Sequence, residues 1–240
     1  MEAAGLPNLS SYITMQATIP TYDKSNPNKW IPNGQKTVQM AMVGMHVVGS
    51  TKGHPEMIWG TFEHFGNAPN ATYQYTNTAN QAKTVNQTTA GTWLFAQSNA
   101  AAPFNEMHQF ANGANIESIS PHTISAGNTI RWKPWGSGAN AGGATSKNTE
   151  VIAINNSVSK QMPAGDVRKN YFMMGSTWTI GGASPTANNQ VGTAQLANTT
   201  METFQQGSNN QQAGSSNCFS CHTTNTTNVS HIFPDLKPLP

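Results

Sequence analysis

Charge is scarce in this chain. Of 240 residues, 12 are Lys or Arg and 10 are Asp or Glu, 9% in all, where an average soluble protein carries about 25%. The net charge is +2 at pH 7 and the basic residues are scattered. A nucleic-acid or anionic-membrane surface is therefore not expected. Long apolar runs are missing too. The most apolar stretch, 38–48, is broken by Gln39, Gly44 and His46. It is too short to span a bilayer, which takes about 20 residues, so no transmembrane segment is expected. No secretory leader is legible in Met1-Glu2-Ala3-Ala4-Gly5. Cysteine is nearly absent, with only two in the chain, which excludes a multi-disulfide framework and a four-cysteine zinc site.

The two cysteines stand together, in Cys218-Phe219-Ser220-Cys221-His222. This is C-x-x-C-H, the spacing at which two thiols form thioethers to one haem and the next imidazole binds its iron. Three other chemistries compete for the same residues. A redox dithiol normally opens a helix in a βαβ context, whereas here a polar stretch from Gln205 to Asn217 precedes the pair. Half of a zinc site lacks a second Cys pair and has the wrong His spacing for a finger. A disulfide across two residues would be strained. The expectation is one haem c, held covalently by Cys218 and Cys221, with His222 as the proximal iron ligand.

Three short runs, Met201-Glu202-Thr203-Phe204, Cys218–His222 and Val229-Ser230-His231-Ile232-Phe233, together resemble the C-terminal part of large monohaem proteins of the bacterial cytochrome c family. Met45-His46 and Gly53-His54-Pro55-Glu56 extend the resemblance weakly. It implies covalent haem, His222 as proximal ligand, and a periplasmic or extracellular location, reached with a signal peptide not present in this numbering. It supplies no substrate. Small cytochrome c domains are all-α with the motif near their N-terminal helix; this chain departs from that pattern, because its motif lies near the other end and follows β-like sequence.

Indeed, the pattern upstream is β-like. Thr37–Gly49 carries Val and Met on both parities and predicts a strand buried on both faces. A six-residue turn, Ser50–Pro55, links it to a second strand at Glu56–Phe65, giving a hairpin. Further strands are expected at Thr72–Thr76, Thr92–Ala96, Ile116–Ile119, Thr129–Trp132, Val151–Ile154 and Asn170–Ile180. A short helix is expected at Pro103–Phe110, a loop at Pro134–Lys147, and a firmer helix at Ala194–Gln206, where Leu196, Thr200, Met201 and Phe204 recur at helical spacing. The fold class is mainly β: an antiparallel sandwich or distorted barrel with one or two short helices and a C-terminal haem-binding segment. The organisation reads as an extended N-terminal segment (1–36), a β domain (37–193) and a haem attachment segment (194–240).

The second axial ligand decides much of the function. A Met or His there makes a six-coordinate, electron-transferring iron, and an open position admits ligands or peroxide. His46 and His64 lie on neighbouring apolar strands, and His231 lies nine residues beyond His222; these three are the distal candidates. His54, His108 and His122 sit in turn- or loop-like contexts and rank below them. Met40, Met42, Met45, Met107 and Met201 read as packing residues. The favoured function is single-electron transfer between redox partner proteins outside the cytoplasm. The alternatives are a peroxidase-like haem enzyme with an open distal site, which would want Arg131 or Arg168 beside a distal His, and a surface or assembly haem protein, for which a homo-oligomer is conceivable.

Overall fold

The computed structural model describes residues 6, 8–99, 102–136, 146–186, 189–193, 196, 198–203 and 218–222. Ten strands make three antiparallel sheets, and none closes into a barrel among the described residues. The fold is thus mainly β and sandwich-like.

The first sheet begins with β1 (Thr14–Asp23) and β2 (Lys29–Ala41), a long hairpin paired from Thr14↔Ala41 to Asp23↔Ile31 with one register shift between Thr21 and Tyr22. Its Pro, Asn and Thr content hides it from composition, and β2 runs through residue 36, where the sequence reading ended an extended N-terminal segment. Only Ala41 of β2 is buried. The sheet is completed by β7 (Gln109–Asn112) and β8 (Asn115–Ser118), in the order β1-β2-β8-β7.

The second sheet holds β3 (Gly44–Thr51), β4 (His54–His64), β9 (Tyr171–Thr179) and β10 (Gln190–Gly192), in the order β10-β9-β4-β3. The expected β3–β4 hairpin is present, but it closes with Thr51 opposite His54, so the loop is two residues long, not six. Gly53 makes this possible by taking φ +87°, a conformation that costs Gly little. A two-stranded sheet, β5 (Tyr73–Thr76) with β6 (Ala82–Val85), stands apart. No helix among the described residues is long and apolar enough to cross a membrane.

Several expectations fail for identifiable reasons. Thr37–Gly49 is two strands in two sheets, not one strand buried on both faces. The chain leaves the first sheet at Ala41 and enters the second at Gly44, with the Met42 N–H donating to Ile13 O and the Met42 carbonyl accepting from Tyr171 Oη. The apolar residues on both parities record that change of sheet. Val151–Ile154 is not a strand but part of α1 (Ser146–Gln161), which also begins inside the segment expected to be loop up to Lys147. Four consecutive apolar residues suit either structure; here Asn148 and Asn155 decide it, by donating to Gln74 O and Met173 O and so laying the helix across β5 and β9.

Pro103–Phe110 is extended loop leading into β7, not a helix. Asn105 holds it so, with its side chain donating to Ile130 O and accepting from Ile130 N–H. Thr92–Ala96 forms no strand; Leu94 and Phe95 donate to Gly66 O and Asn67 O across an irregular loop. Thr129–Trp132 contributes one isolated bridge, Asn70 to Arg131. Of the helix expected at Ala194–Gln206, the described residues Asn198–Thr203 form a capped turn.

The main core lies against the second sheet. Trp135, Val151, Phe172, Met174 and Leu196 are buried together, with Tyr73, Ile152, Met173 and Cys218 packed on them. Each large side chain in such a cluster contributes roughly 1.5–3 kcal/mol by leaving water.

Candidate haem c attachment site

Antiparallel pairing sets up one face of the second sheet. Opposed residues share a face, so the register brings Val48 beside Trp59 beside Thr177, and His46 beside Thr61 beside Gly175. Glu63 lies opposite Phe172 on the same face. Trp59, Thr61, Glu63, Phe172 and Thr177 are all buried there.

The Cys-x-x-Cys-His run lies on this face. Cys218–Cys221 forms a single helical turn, α2, extended by His222 N–H donating to Cys218 O at 2.9 Å. The turn carries Cys218 and Cys221 at the three-residue spacing of the C-x-x-C-H motif. Phe219 is fully buried and meets Trp59 edge to face at 5.7 Å. The His222 ring lies 5.1 Å from Trp59 with its Nδ1 buried. Cys218 packs against the main core. The donor set fits haem c: two cysteines and an imidazole on one turn, backed by an apolar aromatic wall.

A buried polar network ties the approach to α2 onto the sheet. Glu63 is fully buried and accepts from Arg131 Nε at 2.7 Å, from Thr199 N–H and from the Thr199 hydroxyl. Arg131 also donates to the carbonyls of Ala68, His64 and Phe65 and to Asn70 Oδ1. Its five N–H groups are all used. Asn198 donates to Phe62 O and caps its own turn, its Oδ1 accepting from Thr200 N–H and Met201 N–H. Gly44 permits this close approach, since a Cβ there would lie 2.6 Å from Thr200 Oγ1.

The distal candidates separate clearly. His64 is buried, stacked on Tyr12 at 4.0 Å and edge-on to Tyr171 at 5.1 Å. Its Nε2 donates to Ser11 O at 3.2 Å and its Nδ1 accepts from Gly66 N–H at 3.0 Å. Burial holds its pKa below the usual histidine range; the Arg131 charge acts in the same direction and the Ser11 bond opposes it. This is a core histidine with both nitrogens in use. His46 lies on the α2 face and is partly exposed. Its Nε2 donates to Glu202 Oε1 at 2.6 Å, which leaves Nδ1 to accept from the Thr61 hydroxyl. Glu202 is the residue whose other oxygen accepts from Asn198 N–H at 2.8 Å, so His46 is joined to the segment leading toward α2. His231 lies outside the described residues. His54 pairs with Glu56 at 2.9 Å near Trp178, at the far end of β4, and the structure does not bring it together with His46 and His64.

Two histidines ranked low as iron ligands belong to a cluster that the sequence does not reveal. Glu106, His108 and His122 converge, with donor atoms within 4.8 Å of one another. Fourteen positions separate the two histidines in the chain (122 minus 108), and only the β7–β8 register reveals their contact. Compared with protein-family models, with curated proteins and with solved structures, the chain finds no match.

Proposed function

We propose that the protein is a monohaem c-type cytochrome that passes single electrons between redox partner proteins in the periplasm or outside the cell. The observation that carries this reading is the Cys218–His222 run, folded as one helical turn against Trp59. Cys218 and Cys221 are the thioether donors, and His222 gives a ring nitrogen to the iron. When bound, haem c supplies one-electron Fe(III)/Fe(II) cycling. Trp59, Phe219 and the Met174–Leu196 core exclude water from that side, and such burial is one of the levers that set a reduction potential.

His46 is the distal candidate the geometry favours. It shares the sheet face with Trp59 and is partly exposed, and it reaches a metal by exchanging a single partner, Glu202. His64 would likewise have to exchange one partner, Ser11 or Gly66, but it is buried and would also have to break its stacking on Tyr12. Two observations favour electron transfer over peroxidase chemistry. Arg131 is buried and fully hydrogen-bonded, and Arg168 is held at the surface by Asp166 at 2.6 Å. Both guanidinium groups are thus already engaged by other partners. The low charge of the chain means that docking to a partner is weakly steered and nearly independent of salt.

The test is the optical spectrum of the purified protein, oxidised and reduced, with and without carbon monoxide. A reduced haem c α-band that ignores the ligand is expected. A high-spin spectrum that shifts on adding carbon monoxide would move the assignment to an enzyme with an open distal site.

A further inference from the structure

We propose that Glu106, His108 and His122 form a binding site for a divalent transition-metal ion of the Zn²⁺ class, independent of the haem motif. The site is assembled by a hairpin. β7 and β8 pair from Asn112↔Asn115 to Gln109↔Ser118, and the ladder continues as Ile119 N–H donates to His108 O at 2.8 Å. A turn then closes with His122 N–H on Ile119 O at 2.8 Å. The result lays the two imidazoles face to face, 4.0 Å apart and 17° from parallel. Glu106, two residues before His108, brings its Oε2 to 3.8 Å from His108 Nε2 and 3.7 Å from His122 Nε2.

Hydrogen-bond accounting fixes which nitrogen of His108 carries a proton. Ser125 has one hydroxyl proton and gives it to Thr123 O. The 3.0 Å contact between His108 Nδ1 and Ser125 Oγ is therefore donated by the histidine. With Nδ1 protonated, Nε2 of the neutral ring presents a lone pair toward the Glu106 carboxylate. Two electron-rich atoms so placed repel, and either a metal ion between them or a second proton on the ring removes the repulsion. A ring whose other N–H is held by an oxygen is also how metal-bound histidines are commonly oriented.

The distances suit an ion. A tetrahedral Zn²⁺ about 2.1 Å from each donor sets the donors about 3.4 Å apart, so closure needs a shift of less than about 1 Å per ligand and a turn of one imidazole out of the stack, because the in-plane lone pairs of two nearly parallel rings do not converge on one ion. Two His and one carboxylate are an established donor set for Zn²⁺ and its neighbours, and they leave at least one coordination position to solvent. That position opens onto a cleft of about 760 Å³, also lined by Leu94, Phe95 and Thr203. The side chains are 28%, 15% and 33% exposed in chain order, so an ion can reach them without unfolding.

Calorimetric titration of the chelator-treated 240-residue chain with Zn²⁺ tests the proposal, together with the visible absorption of the Co²⁺ form. One ion per chain and a tetrahedral Co²⁺ spectrum are expected. His122→Ala should weaken binding by more than the roughly 10–100-fold that loss of a supporting partner costs, and Ser125→Ala should weaken it within that range. The Cys218–His222 turn lies on the other sheet, so haem content should be unchanged in both variants, which separates loss of the metal site from loss of the fold. Absence of stoichiometric binding, or the same affinity in His122→Ala and Ser125→Ala as in the parent, overturns the proposal.

Discussion

Strands β2 and β9 show how differently two parts of one chain use their residues. β2 is thirteen residues long and buries one of them. β9 is nine residues long and buries five. β2 carries Ile31 and β1 carries Met15, both more than half exposed, whereas β9 places Phe172, Met174, Thr177 and Thr179 inside. The first sheet is held by backbone pairing, and its end forms the histidine cluster near solvent. In the second sheet β4 and β9 make a buried platform, packed by α1, by the Asn198–Thr203 turn and by the cysteine-bearing turn, while the edge strand β3 buries no residue. The proposed covalent haem would sit against the second, where aromatic walls and a buried polar network coexist among the described residues.

The comparison can be broken most severely at the cysteines. Cys218→Ala or Cys221→Ala should reduce covalent haem to a small fraction of the parent, read by haem staining of a denaturing gel. Next comes the Glu63–Arg131 pair. Arg131→Ala leaves a buried carboxylate without its counter-charge, and stability should fall by about 3–5 kcal/mol in urea unfolding. Leu196→Ala, which empties space in the main core, should cost about 2–5 kcal/mol. Ile31→Ala, on the exposed sheet, should change stability by no more than about 0.5 kcal/mol. Equal losses for the last two would erase the distinction between the sheets.

A smaller effect concerns pH. The pKa of His64 is lower folded than unfolded, so on acidification the unfolded chain binds the proton first and gains from it. Stability conferred by the neutral ring is present above the unfolded value of about 6.5 and is lost as pH falls below it. Urea midpoints should thus decline from pH 7 toward pH 5, and His64→Gln should flatten that decline. An unchanged slope in the variant would assign the pH dependence to other groups.

What the sequence made legible follows from range. The Cys218–His222 run is five residues long and needs no tertiary information. The β3–β4 hairpin was legible because two apolar runs flank the turn-forming Ser50–Pro55 segment, of which the structure leaves only Lys52 and Gly53 as the loop. The β1–β2 hairpin was not, because its Asn, Pro and Thr residues look like loop until a partner strand supplies the ladder. Helix α1 was missed because its decisive residues, Asn148 and Asn155, act through bonds to β5 and β9. His64 looked like an iron ligand because it stands in an apolar strand, but its partners, Ser11 and Gly66, were invisible without the fold. The pairing of His108 with His122 depends on hairpin register, which spacing along the chain does not encode.

The central claim is covalent haem at Cys218 and Cys221, and acid–acetone extraction of the protein, produced in a host able to attach haem c, tests it most directly. The account predicts that the haem absorbance stays with the precipitated polypeptide. Haem passing entirely into the acetone, or a protein with no haem absorbance at all, would contradict it and return the two cysteines to dithiol chemistry.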